Sequence, residues 1–102
     1  MSLKVSVDRQ QLNAFCQANG INKLAVFGSA VREDFDPARS DVDVLLAFAA
    51  GQAPGMFKFV RLADELERLF GRRVDLVTYE SLHPLLREQI LAEAEVQYDQ
   101  AG

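Results

Sequence analysis

The chain has 102 residues, 49% apolar and 25% charged, with a formal net charge of −4, which is the make-up of one globular domain, 1–102, with a single core. No apolar run nears the roughly 18 residues that span a bilayer, no basic stretch leads into an apolar one at the N-terminus, and Cys16 is the only cysteine, so a cytoplasmic chain without membrane span or internal disulfide is expected. The acidic balance argues against non-specific binding to nucleic acid, whose phosphates attract Lys and Arg surfaces.

Ser6 or Asp8 can cap a first helix to about residue 19, with Leu12, Phe15 and Cys16 on one face and Gly20 as its stop. Residues 23–27 form a short apolar strand that ends at Gly28-Ser29, where a helical turn can begin. Residues 30–40 are a polar connection with Asp36-Pro37 as turn chemistry. Residues 41–48 are the longest strand candidate, and residues 49–55 read as a loop. A long amphipathic helix follows to about Phe70, with Phe59, Leu62, Ala63, Leu66, Leu69 and Phe70 at helical spacing. Met56, Phe57 and Phe59 read as core or interface. Residues 73–78 form a strand that opens near Asp75. Ser81 is a candidate cap and Pro84 a first-turn residue for a last helix, whose buried stripe would be Leu85, Leu86, Ile90, Leu91 and Ala94. Residues 96–98 can add a short strand. Two strands in direct succession make the sheet partly antiparallel, and helices packed on one face give an α+β, two-layer domain with a small mixed β-sheet.

Chemistry concentrates on Asp41 and Asp43 in SDVDVLLAF and Asp75 in RRVDLVT. Residues two apart on a strand project to one face, so Asp41 and Asp43 point together while Val42 and Val44 enter the core. Acids gathered this way repel one another and lose hydration, and a divalent cation offsets both effects. Carboxylate oxygens suit Mg²⁺, which completes its shell with phosphate oxygens and water. Asp75 on a neighbouring strand would complete a second metal site, and two metals roughly 3.5–4 Å apart serve phosphoryl transfer. Gly28 lets the backbone approach a phosphate, and Ser29 offers a hydroxyl and an N–H to the same anion. Arg32 and Arg39 are the nearest cations and suit phosphate oxygens. Each signal also has a plainer reading. The acid pair can be solvated, Gly28-Ser29 can be an ordinary turn, and Asp75 can pair with Arg72 or Arg73. Arg39 can pair with Asp41 or Asp43. Cys16 reads as core, and His83 lacks companions for a zinc site.

The ordered set VFGSAVREDFDPARSDVDVLLAF (26–48), RRVDLV (72–77) and LLREQILAEAEVQY (85–98) resembles the minimal nucleotidyltransferases of the DNA polymerase β superfamily. The resemblance implies that Gly28 and Ser29 grip a triphosphate, that Asp41 and Asp43 hold two Mg²⁺ ions, that Asp75 is the catalytic base or a further ligand, and that Arg32 sits where many members carry an arginine. It implies transfer of a nucleoside monophosphate, AMP from ATP, to a hydroxyl acceptor. It also implies a helical HEPN-type partner, often a ribonuclease toxin, with the nucleotidyltransferase as antitoxin that in some cases adenylylates a tyrosine. Two departures stand out: the connection between Ser29 and Asp41 has eleven residues, longer than usual in the family, and Glu33 stands where a glycine is common. They leave a second hypothesis, a non-catalytic module that neutralises a partner by contact. A homo-oligomer is also compatible with this small open domain.

Overall fold

A computed structural model describes residues 6–31 and 41–100. The first helix, α1 (Arg9–Ala18), starts where the Asp8 carboxylate accepts the Gln11 N–H at 3.0 Å, one of the donors a helix N-terminus leaves without an internal partner. Leu12, Phe15 and Cys16 share one face and are buried. The chain then enters β1 (Ile21–Phe27), two residues earlier than the sequence suggested, and passes into a short 3₁₀ turn over Gly28–Val31. Next come β2 (Val42–Phe48), α2 (Met56–Phe70), β3 (Val74–Thr78), α3 (Pro84–Glu93) and β4 (Glu95–Asp99).

The strands form one sheet in the order β3-β2-β1-β4. β1 pairs antiparallel with β2 and β4, whereas β2 and β3 are parallel, because a helix, α2, connects them and returns the chain to the same end. The α+β class with a small mixed sheet is therefore as expected. Strand alternation sorts the side chains by face. Leu24, Val26, Val42, Val44 and Leu46 face α1 and α2, and form the main core with Leu12, Leu62, Leu66 and Phe70. Val42 and Val44 are fully buried there, which turns Asp43 to the other face.

That other face holds a smaller cluster of Ala25, Leu45 and Leu82, packed by Ile90 and Ala94. The third helix thus lies across the sheet from α1 and α2. The topology requires it: α3 must carry the chain from β3 to β4 at the opposite edge, and the first face is already filled. Its apolar residues also differ from the expected stripe. Ile90 and Ala94 pack on the sheet, but Leu85, Leu86 and Leu91 are exposed, Leu85 by 84%. At 100° per residue these side chains spread around most of the helix, so a single face cannot bury them all. Ser81 does not cap α3. It exchanges hydrogen bonds with Thr78 across a 3₁₀ turn at Tyr79–Ser81, while His83 Nδ1 accepts the Leu85 N–H at 3.1 Å and Pro84 takes the first helical position. Met56 and Phe57 lie outside the core, 81% and 85% exposed.

Candidate active site

Gly28, at the end of β1, adopts φ +72°, the left-handed region that favours glycine. Its Cα lies against Asp43: a Cβ at this position would overlap Oδ2 and stand 3.1 Å from Cγ. The β1–β2 register explains the contact, since Phe27 is opposite Asp43 and Gly28 follows directly. Ser29 is half-buried and Ala30 buried in the 3₁₀ turn that follows. The Gly28 N–H is already engaged, donating to Glu93 Oε1 at 3.0 Å. The backbone N–H of Ser29 is therefore the first one in this turn for an anion to meet.

Asp43 is half-buried and Asp75 exposed, and the two are register partners in the parallel β2–β3 ladder. Neighbouring strands are about 4.8 Å apart, so these carboxylates share one face at close range. Glu67 of α2 helps to hold this register by accepting the Val74 N–H at 3.1 Å. Asp41 sits one residue before β2, beside Arg73. Arg73 Nε lies 3.3 Å from Asp41 Oδ1, and the Arg73 carbonyl accepts the Val42 N–H at 2.9 Å. Arg73 thus pairs with Asp41 rather than Asp75. Both partners are largely solvated, and such pairs contribute little to stability.

Gly28, Ser29, Asp43 and Asp75 therefore meet at one end of the sheet, with Asp41 at the margin. Arg32 and Arg39 lie outside the described residues, as does Glu33. Among the described residues, no three His, Cys, Asp or Glu side chains form a ready ligand cluster. The donor chemistry still fits Mg²⁺, which commonly takes only one or two carboxylates and fills its shell with phosphate oxygens and water. Asp43 with Asp41 or Asp75 provides such a hard-oxygen pair, and the bare Cα of Gly28 keeps a side chain out of the space beside it.

Two contributors escaped the sequence reading. Glu93 reaches the turn from 65 residues away, and no local pattern announces that contact. Arg73 was visible only as a possible neighbour of Asp75. The acid-bearing face continues away from Asp43 into an open groove of about 890 Å³ lined by Ala25, Leu45, Ala47, Tyr79, Leu91 and Val96, among others. Among the described residues, no helix is long and apolar enough to cross a membrane.

The nucleotidyltransferase domain family matches residues 8–96. Protein adenylyltransferase MntA of Thermococcus cleftensis is 40% identical over 74 residues, 72% of each chain. A relative from Methanocaldococcus jannaschii with a provisional protein adenylyltransferase name is 41% identical over 76 residues, covering 74% of this chain and 78% of its own. A solved structure described provisionally as a minimal nucleotidyltransferase superposes with a TM-score of 0.70 at 39% identity, over 85% of this chain and 86% of that one. A more distant likeness, in fold alone, is to the complex of AMPylated Shewanella oneidensis HEPN toxin with MNT antitoxin, at TM-score 0.64 and 17% identity over 89% and 69% of the chains. With the family model matching residues 8–96 and relatives about 40% identical over nearly three-quarters of the chain, this chain belongs to the nucleotidyltransferase domain family and is a minimal nucleotidyltransferase, an enzyme of nucleotidyl transfer.

Proposed function

We propose that the chain transfers AMP from ATP to a hydroxyl on a protein, in a Mg²⁺-dependent reaction, and that the acceptor is a tyrosine of a helical HEPN-type toxin that the chain thereby restrains. The observation that carries the reading is the in-register pair Asp43–Asp75 beside the Gly28–Ser29 turn. Mg²⁺, when bound, supplies charge neutralisation for the phosphates and acidifies the attacking hydroxyl. Asp41 and Asp43 hold it. The Ser29 hydroxyl and N–H bind the β- and γ-phosphates, assisted by Arg32 and Arg39. Asp75, the more exposed of the in-register pair, accepts the proton of the acceptor hydroxyl, alone or with a role in holding a second ion. The acceptor oxygen forms a bond to the α-phosphorus, the bond from that phosphorus to the bridging oxygen breaks, and pyrophosphate leaves with the electron pair.

The names of the relatives support AMP and a protein acceptor, and the fold shared with an antitoxin in complex with its AMPylated toxin supports the partner. Exposed Leu85 and Leu86 on α3, and Met56, Phe57 and Val60 on α2, are the kind of apolar surface that a partner covers. The test is a transfer assay with ATP labelled in the α-phosphate, Mg²⁺ and a purified HEPN-type partner. Label on a partner tyrosine, lost with Asp43→Asn, is the expected result. Undiminished labelling by Asp43→Asn, or label that remains on ATP with the wild-type chain, overturns the proposal.

A further inference from the structure

Glu93 is the last residue of α3, immediately before Ala94 and β4. β4 pairs with β1 so that Glu95 is opposite Val26. This register carries the end of α3 to the sheet end where Gly28 and Asp43 meet. There one carboxylate oxygen of Glu93 accepts the Gly28 N–H at 3.0 Å in a half-buried setting. Gly28 itself is buried, with φ +72°. A glycine peptide is conformationally free in the unfolded chain and has many alternatives to this geometry. A hydrogen bond to a charged acceptor is among the stronger ones a backbone N–H can make, and this one ties the pivot of the turn to an element far away in sequence.

We propose that Glu93 is a positioning residue of the nucleotide site. It fixes the Gly28 peptide so that the Ser29 N–H and hydroxyl, rather than the Gly28 N–H, meet phosphate, and so that the Gly28 Cα backs the Asp43 carboxylate. The role rests on the ATP-binding reading above. Toward this turn Glu93 acts by accepting a hydrogen bond. The neutral amide of Gln, whose carbonyl still accepts this N–H though more weakly, replaces it in large part, whereas Ala does not.

Two measurements test this, one with ATP and one without. Steady-state kinetics should show the ATP KM of Glu93→Ala raised about tenfold or more, the loss expected when a charge-assisted hydrogen bond is removed, with kcat within about threefold of wild type. Glu93→Gln should keep a KM within about threefold of wild type, well below that of Glu93→Ala. A merely structural role would reduce the active fraction and kcat without that rescue. In the wild-type chain without nucleotide, the Gly28 amide should exchange slowly with deuterium, and Glu93→Ala should accelerate it more than amides of the β1–β2 ladder. Wild-type KM in Glu93→Ala, equal loss in Glu93→Gln, or a fast-exchanging Gly28 amide in the wild type overturns the assignment. A wild-type chain that turns over no ATP refutes the proposed function instead, and amide exchange then decides the role of Glu93 by itself.

Discussion

The Asp43 carboxylate occupies the space beside Gly28 that a side chain at position 28 would need. One residue follows directly on the first strand, the other projects from the second on the face that also carries Asp75, and a larger side chain at position 28 would have to displace the carboxylate. Gly28→Ala therefore meets two obstacles: φ +72°, which costs an L-residue about 1–2 kcal/mol, and overlap with the carboxylate. Urea denaturation should show a loss of about 1–3 kcal/mol, and pyrophosphate release should fall at least a hundredfold. Wild-type activity in this variant would show that the Gly28–Asp43 contact is not needed.

Asp43→Asn separates chemistry from folding. The amide keeps the size of the carboxylate and removes one negative charge from beside Asp75. Activity should fall by about three orders of magnitude, in line with the loss of a group that positions charge in phosphoryl transfer. The melting temperature should stay level or rise by a few degrees, because like charges across a ladder destabilise it. A melting scan with parallel turnover assays checks both arms.

Ligand linkage gives a test that needs no acceptor. A ligand at a hundred times its dissociation constant stabilises by about 2.7 kcal/mol, and for a domain near 100 residues each kcal/mol moves the midpoint about 4–8 °C. ATP with Mg²⁺ should therefore raise the melting temperature by about 10–20 °C at such excess. ATP with EDTA should raise it by no more than a few degrees, since Asp43 and Asp75 then face the phosphates unscreened.

Cys16 predicts a pH dependence of stability. Burial pushes its thiol up to about 12, whereas an unfolded chain ionises near 8.5. The native state keeps the proton that the unfolded state gives up, so this contribution is intact below pH ~8.5 and declines as pH rises from there toward 12, by up to ~1.4 kcal/mol per pH unit. The stability advantage of wild type over Cys16→Ala should shrink by about 1–2 kcal/mol between pH 8 and pH 10 in urea titrations. A thiol reagent should modify the native chain far more slowly than the unfolded one.

Leu66 marks the core as a control. It is fully buried among α1, α2 and the sheet, and Leu66→Ala should cost about 2–5 kcal/mol. At temperatures where this variant remains folded, ATP turnover should be near wild type, because Leu66 lies on the face away from the acids.

Legibility in the sequence followed the range of the physics. Alternation within residues 42–46 was enough to send Val42 and Val44 inward and Asp43 to the other face, because strand geometry is local. Gly20 and one of the two candidate caps, Asp8, marked the ends of α1 for the same reason, and the spacing of Leu62, Leu66 and Phe70 marked the buried side of α2. The order of motifs sufficed to identify the family.

Pairing between distant segments had no local sign. The register that sets Asp43 opposite Asp75, the pull of Arg73 on Asp41, the crossing of α3 to the far face that exposes Leu85 and Leu86, and the reach of Glu93 to Gly28 were settled only by tertiary structure. Each depends on which strand edge a segment finds and which sheet face is already covered, and that competition among long-range contacts is not written in any short stretch of residues.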